Sequence, residues 1–145
     1  MKITVLITCF LSLMFSNCAT LKEEVLIEDI KNSKWEQSVN LQLENEDTVS
    51  LRNIIFLMRY DNTFKYNTLK FSFSVTSPSG DTFCDTVRVD VPETNDTYIT
   101  ILNLEQTIVK NVKFDSCGTY SFEINPLLSL PLEGVIGVGL ALGEE

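Results

Sequence analysis

Leu69-Lys70-Phe71-Ser72-Phe73-Ser74-Val75-Thr76, followed at once by Ser77-Pro78-Ser79-Gly80-Asp81, decides the fold. Apolar and polar residues alternate, so in an extended chain Leu69, Phe71, Phe73 and Val75 share one face while Lys70, Ser72, Ser74 and Thr76 share the other. A helix would scatter both sets around its circumference. The Ser-Pro-Ser-Gly-Asp segment has the residues a tight turn requires, and Val87, Val89 and Val91 resume the alternation beyond it. Together they predict a hairpin with one face on a core and one in water.

The same period recurs on either side. Val39, Leu41 and Leu43 alternate with Asn40, Gln42 and Glu44, and Tyr120, Phe122 and Ile124 with Thr119, Ser121 and Glu123. Leu51 to Tyr60 is apolar on both faces through Ile54, Ile55, Phe56, Leu57 and Met58, which predicts a central strand covered on both sides. Ile136, Val138, Leu140 and Leu142 mark a last strand, and Val25 to Ile30 a first one at an edge. Asp61-Asn62 and Asp115-Ser116-Cys117-Gly118 are turns. Between Tyr98 and Phe114 the pattern is mixed: Ile99 and Ile101 suggest a strand, Leu104 to Val109 a helical turn, and Val112 to Phe114 a strand. Seven to nine short strands at this spacing predict an all-β fold, an antiparallel β-sandwich of immunoglobulin-like or jelly-roll-like form.

Residues 1–17 read differently. Lys2 supplies a positive charge, and Ile3 to Phe15 is an apolar run broken only by Thr4, Thr8 and Ser12, as in a bacterial secretory signal. The run is too short for a hydrocarbon core of about 30 Å, which takes about 20 helical residues. A cysteine directly behind it, Cys18, marks a lipoprotein cleavage site, with the thiol diacylated and the freed amino group acylated. Such sites usually have Leu three residues before the cysteine and Gly or Ala just before it, where this chain has Phe15 and Asn17. An ordinary secretory signal cut near Ala19 is the alternative; Cys9 lies too close to Lys2 to serve. The expected division is therefore 1–17 signal peptide, 18–33 lipidated N-terminus and tether, and 34–145 a single β-sandwich domain.

Composition narrows the partners. Twenty Asp and Glu stand against 11 Lys and Arg, a formal net charge of −9, and loss of Lys2 with the leader makes the mature chain one unit more negative. Such a chain lacks the basic face that nucleic acid requires. It would reach a membrane through its N-terminal lipid rather than by charge, and stable attachment takes two or more acyl chains. Cys84 and Cys117 are a candidate disulfide in an oxidising envelope, with two half-buried free thiols as the alternative.

Histidine is absent, which removes the commonest general base and metal ligand. Ser-x-x-Lys, Cys-x-x-Cys and P-loop patterns are also missing. Gly134-Val135-Ile136-Gly137-Val138-Gly139 reverses the dinucleotide-binding spacing and has no helix behind it, so its glycines read as close packing in a strand. Asp61, Asp85, Asp115 and Glu123 are available for carboxylate chemistry, but only Asp85 shares a face with apolar neighbours, Phe83 and Val87, where a buried structural role is expected. Glu44-Asn45-Glu46-Asp47 is a loose calcium-loop candidate that reads better as a solvated hairpin loop. Trp35, Tyr60, Phe64 and Tyr66 suit core or rim packing, or sugar stacking if exposed. No catalytic residue, cofactor or metal is expected, and a small-molecule ligand is not expected either.

Several segments come in a familiar order: Trp35 with its strand, Ile54-Ile55-Phe56-Leu57-Met58-Arg59-Tyr60, Tyr66-Asn67-Thr68-Leu69, Pro78-Ser79-Gly80, Asp85-Thr86, Gly118-Thr119-Tyr120-Ser121-Phe122 and Leu132-Glu133-Gly134-Val135-Ile136-Gly137-Val138-Gly139-Leu140. With the cysteine behind the leader, Trp35 to Leu142 resembles the GldH-type gliding-motility lipoproteins of the Bacteroidetes. The resemblance implies an outer-membrane-anchored lipoprotein with envelope protein partners and a non-catalytic part in gliding or a related assembly. A glycan-binding surface lipoprotein is the alternative. Two places depart from the family: Pro92 to Tyr98 stands where a Gly-Trp-x-Gly segment is usual, and Leu127-Leu128 where Met-Arg is usual. Lys22-Glu23-Glu24 resembles the surface-sorting signal of such lipoproteins but begins late, and reads better as a solvated tether. Asp47-Thr48-Val49 and Asp85-Thr86-Val87 fit the O-glycosylation pattern of these bacteria, making Thr48 and Thr86 candidates, with Thr48 on its loop expected to be the more accessible.

Overall fold

In the computed structural model, which describes residues 23–93, 98 and 100–144, ten strands form: β1 (Glu24–Asp29), β2 (Lys34–Trp35), β3 (Val39–Asn45), β4 (Leu51–Tyr60), β5 (Thr68–Thr76), β6 (Thr82–Asp90), β7 (Leu102–Lys113), β8 (Gly118–Pro126), β9 (Leu132–Glu133) and β10 (Val135–Gly143). All pairings are antiparallel. One four-stranded sheet has the order β1-β10-β4-β7, a second β3-β8-β5-β6, and β2 pairs with β9 alone.

The alternating segments behave as their period requires. Along β3 buried and exposed residues alternate without a break, and Leu69, Phe71 and Phe73 of β5 are fully buried. The predicted hairpin joins β5 to β6, closed by the Ser77 N–H on the Asp81 carbonyl at 2.8 Å. The two sheets meet through their inner faces: Phe56 of β4 stacks on Phe71 of β5 with ring centroids 4.4 Å apart. Trp35 packs against the same Phe71 ring and satisfies its buried indole N–H on the Gln37 carbonyl at 2.9 Å.

The expected first edge strand forms, and β1 pairs along its whole length with β10, so the sheet takes in residues 24–29 of the stretch read as tether. The glycine run explains how. A Cβ on Gly139 would stand 2.1 Å from the Leu26 carbonyl oxygen and 2.7 Å from the Ile27 Cα. Bare backbone at that position lets β1 close in, and Ile27 reaches over Gly137.

Two expectations are corrected here. Residues 102–113 are one strand, with no helical turn. Its pairing with β4 is irregular on either side of Ile54, which faces Val109 while Ile55 faces Thr107 and Arg52 faces Val112. Asn111 takes a positive φ of 55° at the second irregularity and donates its N–H to the Asn53 side-chain oxygen at 3.0 Å. Such bulges insert unpaired residues and break the period of two, leaving Leu104, Ile108 and Val112 at a spacing that imitates a helical stripe. Strand β4 is central as expected, but only Ile54, Phe56, Met58 and Tyr60 are buried; Ile55 and Leu57 on its outer face are half-covered.

Two substitutions test this packing. Phe71→Ala should cost about 3–5 kcal/mol of unfolding free energy in denaturant titration, because it empties the contact between sheets. Gly139→Ala should cost about 1–3 kcal/mol by forcing β1 away from β10, with faster proteolysis before Asp29 as the local readout; an unchanged midpoint would mean β1 docks loosely.

Candidate functional site

Strand directions sort the connections to two ends. Glu24, residues 46–50, the 77–81 turn, the 114–117 turn and Gly143 lie at one end; residues 30–38, 61–67 and 127–134 lie at the other. The chain leads back toward Cys18 from the first end. Cys18 itself lies outside the described residues. The six residue steps from Cys18 to Glu24 reach at most about 20 Å at roughly 3.4 Å each.

The sheets cover each other unequally at their edges. On one side β1 and β3 lie in contact. On the other, β6 and β7 are the last strands of their sheets among the described residues, and a cleft of about 510 Å³ opens between the sheets. Core residues Ile54 and Phe73 form its floor, half-buried Val75, Val109 and Val112 its walls, and Phe83, 55% exposed, its rim. Buried Phe114 and Tyr120 and exposed Ser79, Asp81, Lys113 and Asp115 also line it, and Lys113 is held 3.6 Å from Asp115. The open edge overturns the expectation for Asp85. It is exposed and accepts the Thr86 N–H at 2.7 Å, because the inner face of β6 beyond Val87 overhangs the cleft instead of facing another strand.

At the same end a second, polar groove of about 470 Å³ runs between Glu24, Glu44, Asp47, Arg52 and Glu144. Arg52 lies at its centre, 3.4 Å from Asp47 and 3.9 Å from Glu24, with its guanidinium 5.8 Å above the Phe114 ring. The Ser50 hydroxyl, then the N–H groups of Ser50 and Val49, and then Arg52 hold the Asp47 carboxyl well below the usual carboxylate range. The stretch read as a hairpin loop is thus a structural clamp. Asn45 is buried and donates to the Ser116 carbonyl at 2.9 Å and the Phe114 carbonyl at 3.3 Å, while Glu44 accepts from Thr119. Among the described residues no group of three acidic or thiol side chains is placed to hold a metal ion.

The other candidates are dispersed. Cys84 and Cys117 are free and exposed, not the bridged pair; Cys84 faces out from β6 opposite Ser74 and Cys117 sits in the 115–118 turn near the Glu46 carbonyl. Thr48 is half-buried in the turn that Asp47 caps, whereas Thr86 is exposed on β6, the reverse of the expected accessibility. Trp35, Tyr60 and Phe64 are core residues, and Tyr66 leans edgewise on Phe64; these four make no exposed sugar-stacking platform. Asp61 is spent on its own turn, accepting the Thr63 N–H at 2.8 Å. There Gly134, at φ +86°, passes so close that a Cβ would meet the Phe64 nitrogen at 2.5 Å. The sequence reading missed two features. One is the cleft, whose only trace was a large aromatic, Phe83, on an edge strand. The other is the exposed apolar group Leu127, Leu128 and Leu130 at the end away from Glu24.

Comparison with known proteins agrees with this layout. The family described as GldH lipoprotein matches residues 25–142, from β1 through β10. A gliding motility lipoprotein GldH homolog from Christiangramia forsetii is 25% identical over 154 residues, covering 96% of this chain and 94% of its own. The match begins ten residues ahead of Trp35 and takes in the edge strand that Gly139 admits. The chain therefore belongs to the GldH lipoprotein family.

Proposed function

We propose that this chain is an outer-membrane-anchored lipoprotein acting as a non-catalytic component of gliding motility or a related cell-envelope assembly. The observation that carries the reading is the extent of the family match: it spans every strand of the folded unit and a relative of nearly equal length. In this reading Lys2 and residues 3–15 direct export, Cys18 bears the lipid, and the short linker keeps Glu24 within about 20 Å of the bilayer. The order β1-β10-β4-β7 facing β3-β8-β5-β6 supports reading the domain as a jelly-roll sandwich. Fold alone assigns no activity. The side chains support a docking role: the carboxylates considered for catalysis are exposed or committed to turns, and Leu127, Leu128 and Leu130 stand exposed at the end away from the anchor. That end is where an envelope partner would be met.

A clean deletion in the native host tests the reading, complemented with wild type or with Cys18→Ala. Single-cell movement and the secreted proteome are scored together. Loss of either, restored by wild type and not by Cys18→Ala, is the expected result. Unchanged movement and secretion in the deletion strain would overturn it.

A further inference from the structure

We propose that the cleft between β6 and β7 holds one acyl chain of the lipid carried on Cys18. The proposal rests on the lipoprotein reading above. It starts from the chemistry of the cleft. Its floor and walls are hydrocarbon from Ile54, Phe73, Val75, Val109 and Val112, and its charged side chains, Asp81, Lys113 and Asp115, are exposed. Among the described residues the buried polar side chain is Asn45, which is not part of the cleft lining; its Nδ2 donates to the Phe114 and Ser116 carbonyls while its Oδ1 has no partner. Of the buried residues that line the cleft, Tyr120 alone carries a side-chain hydroxyl, which already accepts the Ser116 N–H at 3.2 Å; a polar ligand finds little else at depth, and a plain hydrocarbon chain needs nothing more. The volume of about 510 Å³ falls within the roughly 300–1,000 Å³ of ligand-sized sites.

Position selects the source of that chain. The registers place Glu24, Leu142, Ile54 and Val109 in one row across the sheet, and Ile54 and Val109 line the cleft. Three strand spacings of about 4.8 Å put Glu24 roughly 14 Å from Val109. The linker from Cys18 reaches further than that, at most about 20 Å, before the length of the lipid is added. The polar groove bridges the same ground, running from Glu24 to Arg52, whose guanidinium overlies Phe114 at the cleft. A triacylated cysteine can spare a chain, because two suffice for stable anchoring. The docked chain would cover the edge at which, among the described residues, the core is open, and hold that end of the domain against its anchor.

The test uses full-length protein made in the native host fed a fatty acid bearing a chain-terminal diazirine. After irradiation and digestion, mass spectrometry should find the Cys18 peptide cross-linked through its acyl chain to peptides containing Phe83, Val109 or Val112. Phe83→Gln, at an exposed position that leaves the fold intact, should lower that cross-link several-fold with total label unchanged. Labelled protein cross-linked only to surrounding lipid or other proteins would overturn the proposal. So would cleft peptides bearing a free labelled phospholipid, which would assign the cleft to bilayer lipid. A protein that takes up no label would overturn the lipoprotein reading, and the proposal with it.

Discussion

The stack of Phe56 on Phe71 is the contact on which the architecture depends. Each ring sits on an interior strand of its own sheet, β4 in one and β5 in the other, with centroids 4.4 Å apart. Neither sheet can bury its apolar face alone, so this contact fixes which faces turn inward and, because side chains alternate, the orientation of every strand paired to β4 and β5. Trp35 closes over Phe71, and the short β2-β9 pair follows from its burial. The edges are what remains. Where β1 meets β3 the two sheets cover each other; where β6 and β7 end them, the core stays open between Phe83 and Val109.

The pairing of β1 with β10 ties the N-terminal strand into the fold. Gly139 has no side chain where one would strike the Leu26 carbonyl, and the strand it admits is the one that continues back toward Cys18. Any pull on the chain ahead of Glu24 is therefore taken up by six antiparallel residue pairs along a sheet edge. At the same end Arg52 ties Glu24 of β1 to Asp47 of the β3–β4 loop, and Asn45 ties β3 to the connection between β7 and β8. The end that holds Glu24 is thus cross-braced by polar contacts, and the far end carries exposed leucines.

Where period and register agree, the fold was legible in the sequence. β3, β5 and β8 read directly from alternation, and the β5–β6 hairpin from its Pro-Ser-Gly turn. β7 was not legible, because two irregularities opposite Ile54 shift its inward residues to a spacing of about four. The error over Asp85 has a different cause. Its face was assigned correctly, but sequence does not say which strand is last in a sheet, and a face that overhangs an open edge is exposed. Thr48 and Thr86 were ranked by element type, loop against strand, whereas Asp47 ties the loop down and β6 lies at an edge. The expected address of the chain rests on one short stretch ending at Cys18, outside the described residues. The cleft was not written anywhere in particular, since it arises from residues on β4, β5, β6 and β7 that only the two-sheet arrangement brings together.

The most direct test of the account is the mass of the N-terminal peptide of the protein isolated from its native host. The account predicts a chain beginning at Cys18, with a diacylglycerol on the sulfur and an acyl group on the amine. An unmodified chain beginning near Ala19 would contradict it, removing the anchor to which the geometry of β1, the acidic groove and the open cleft has been related.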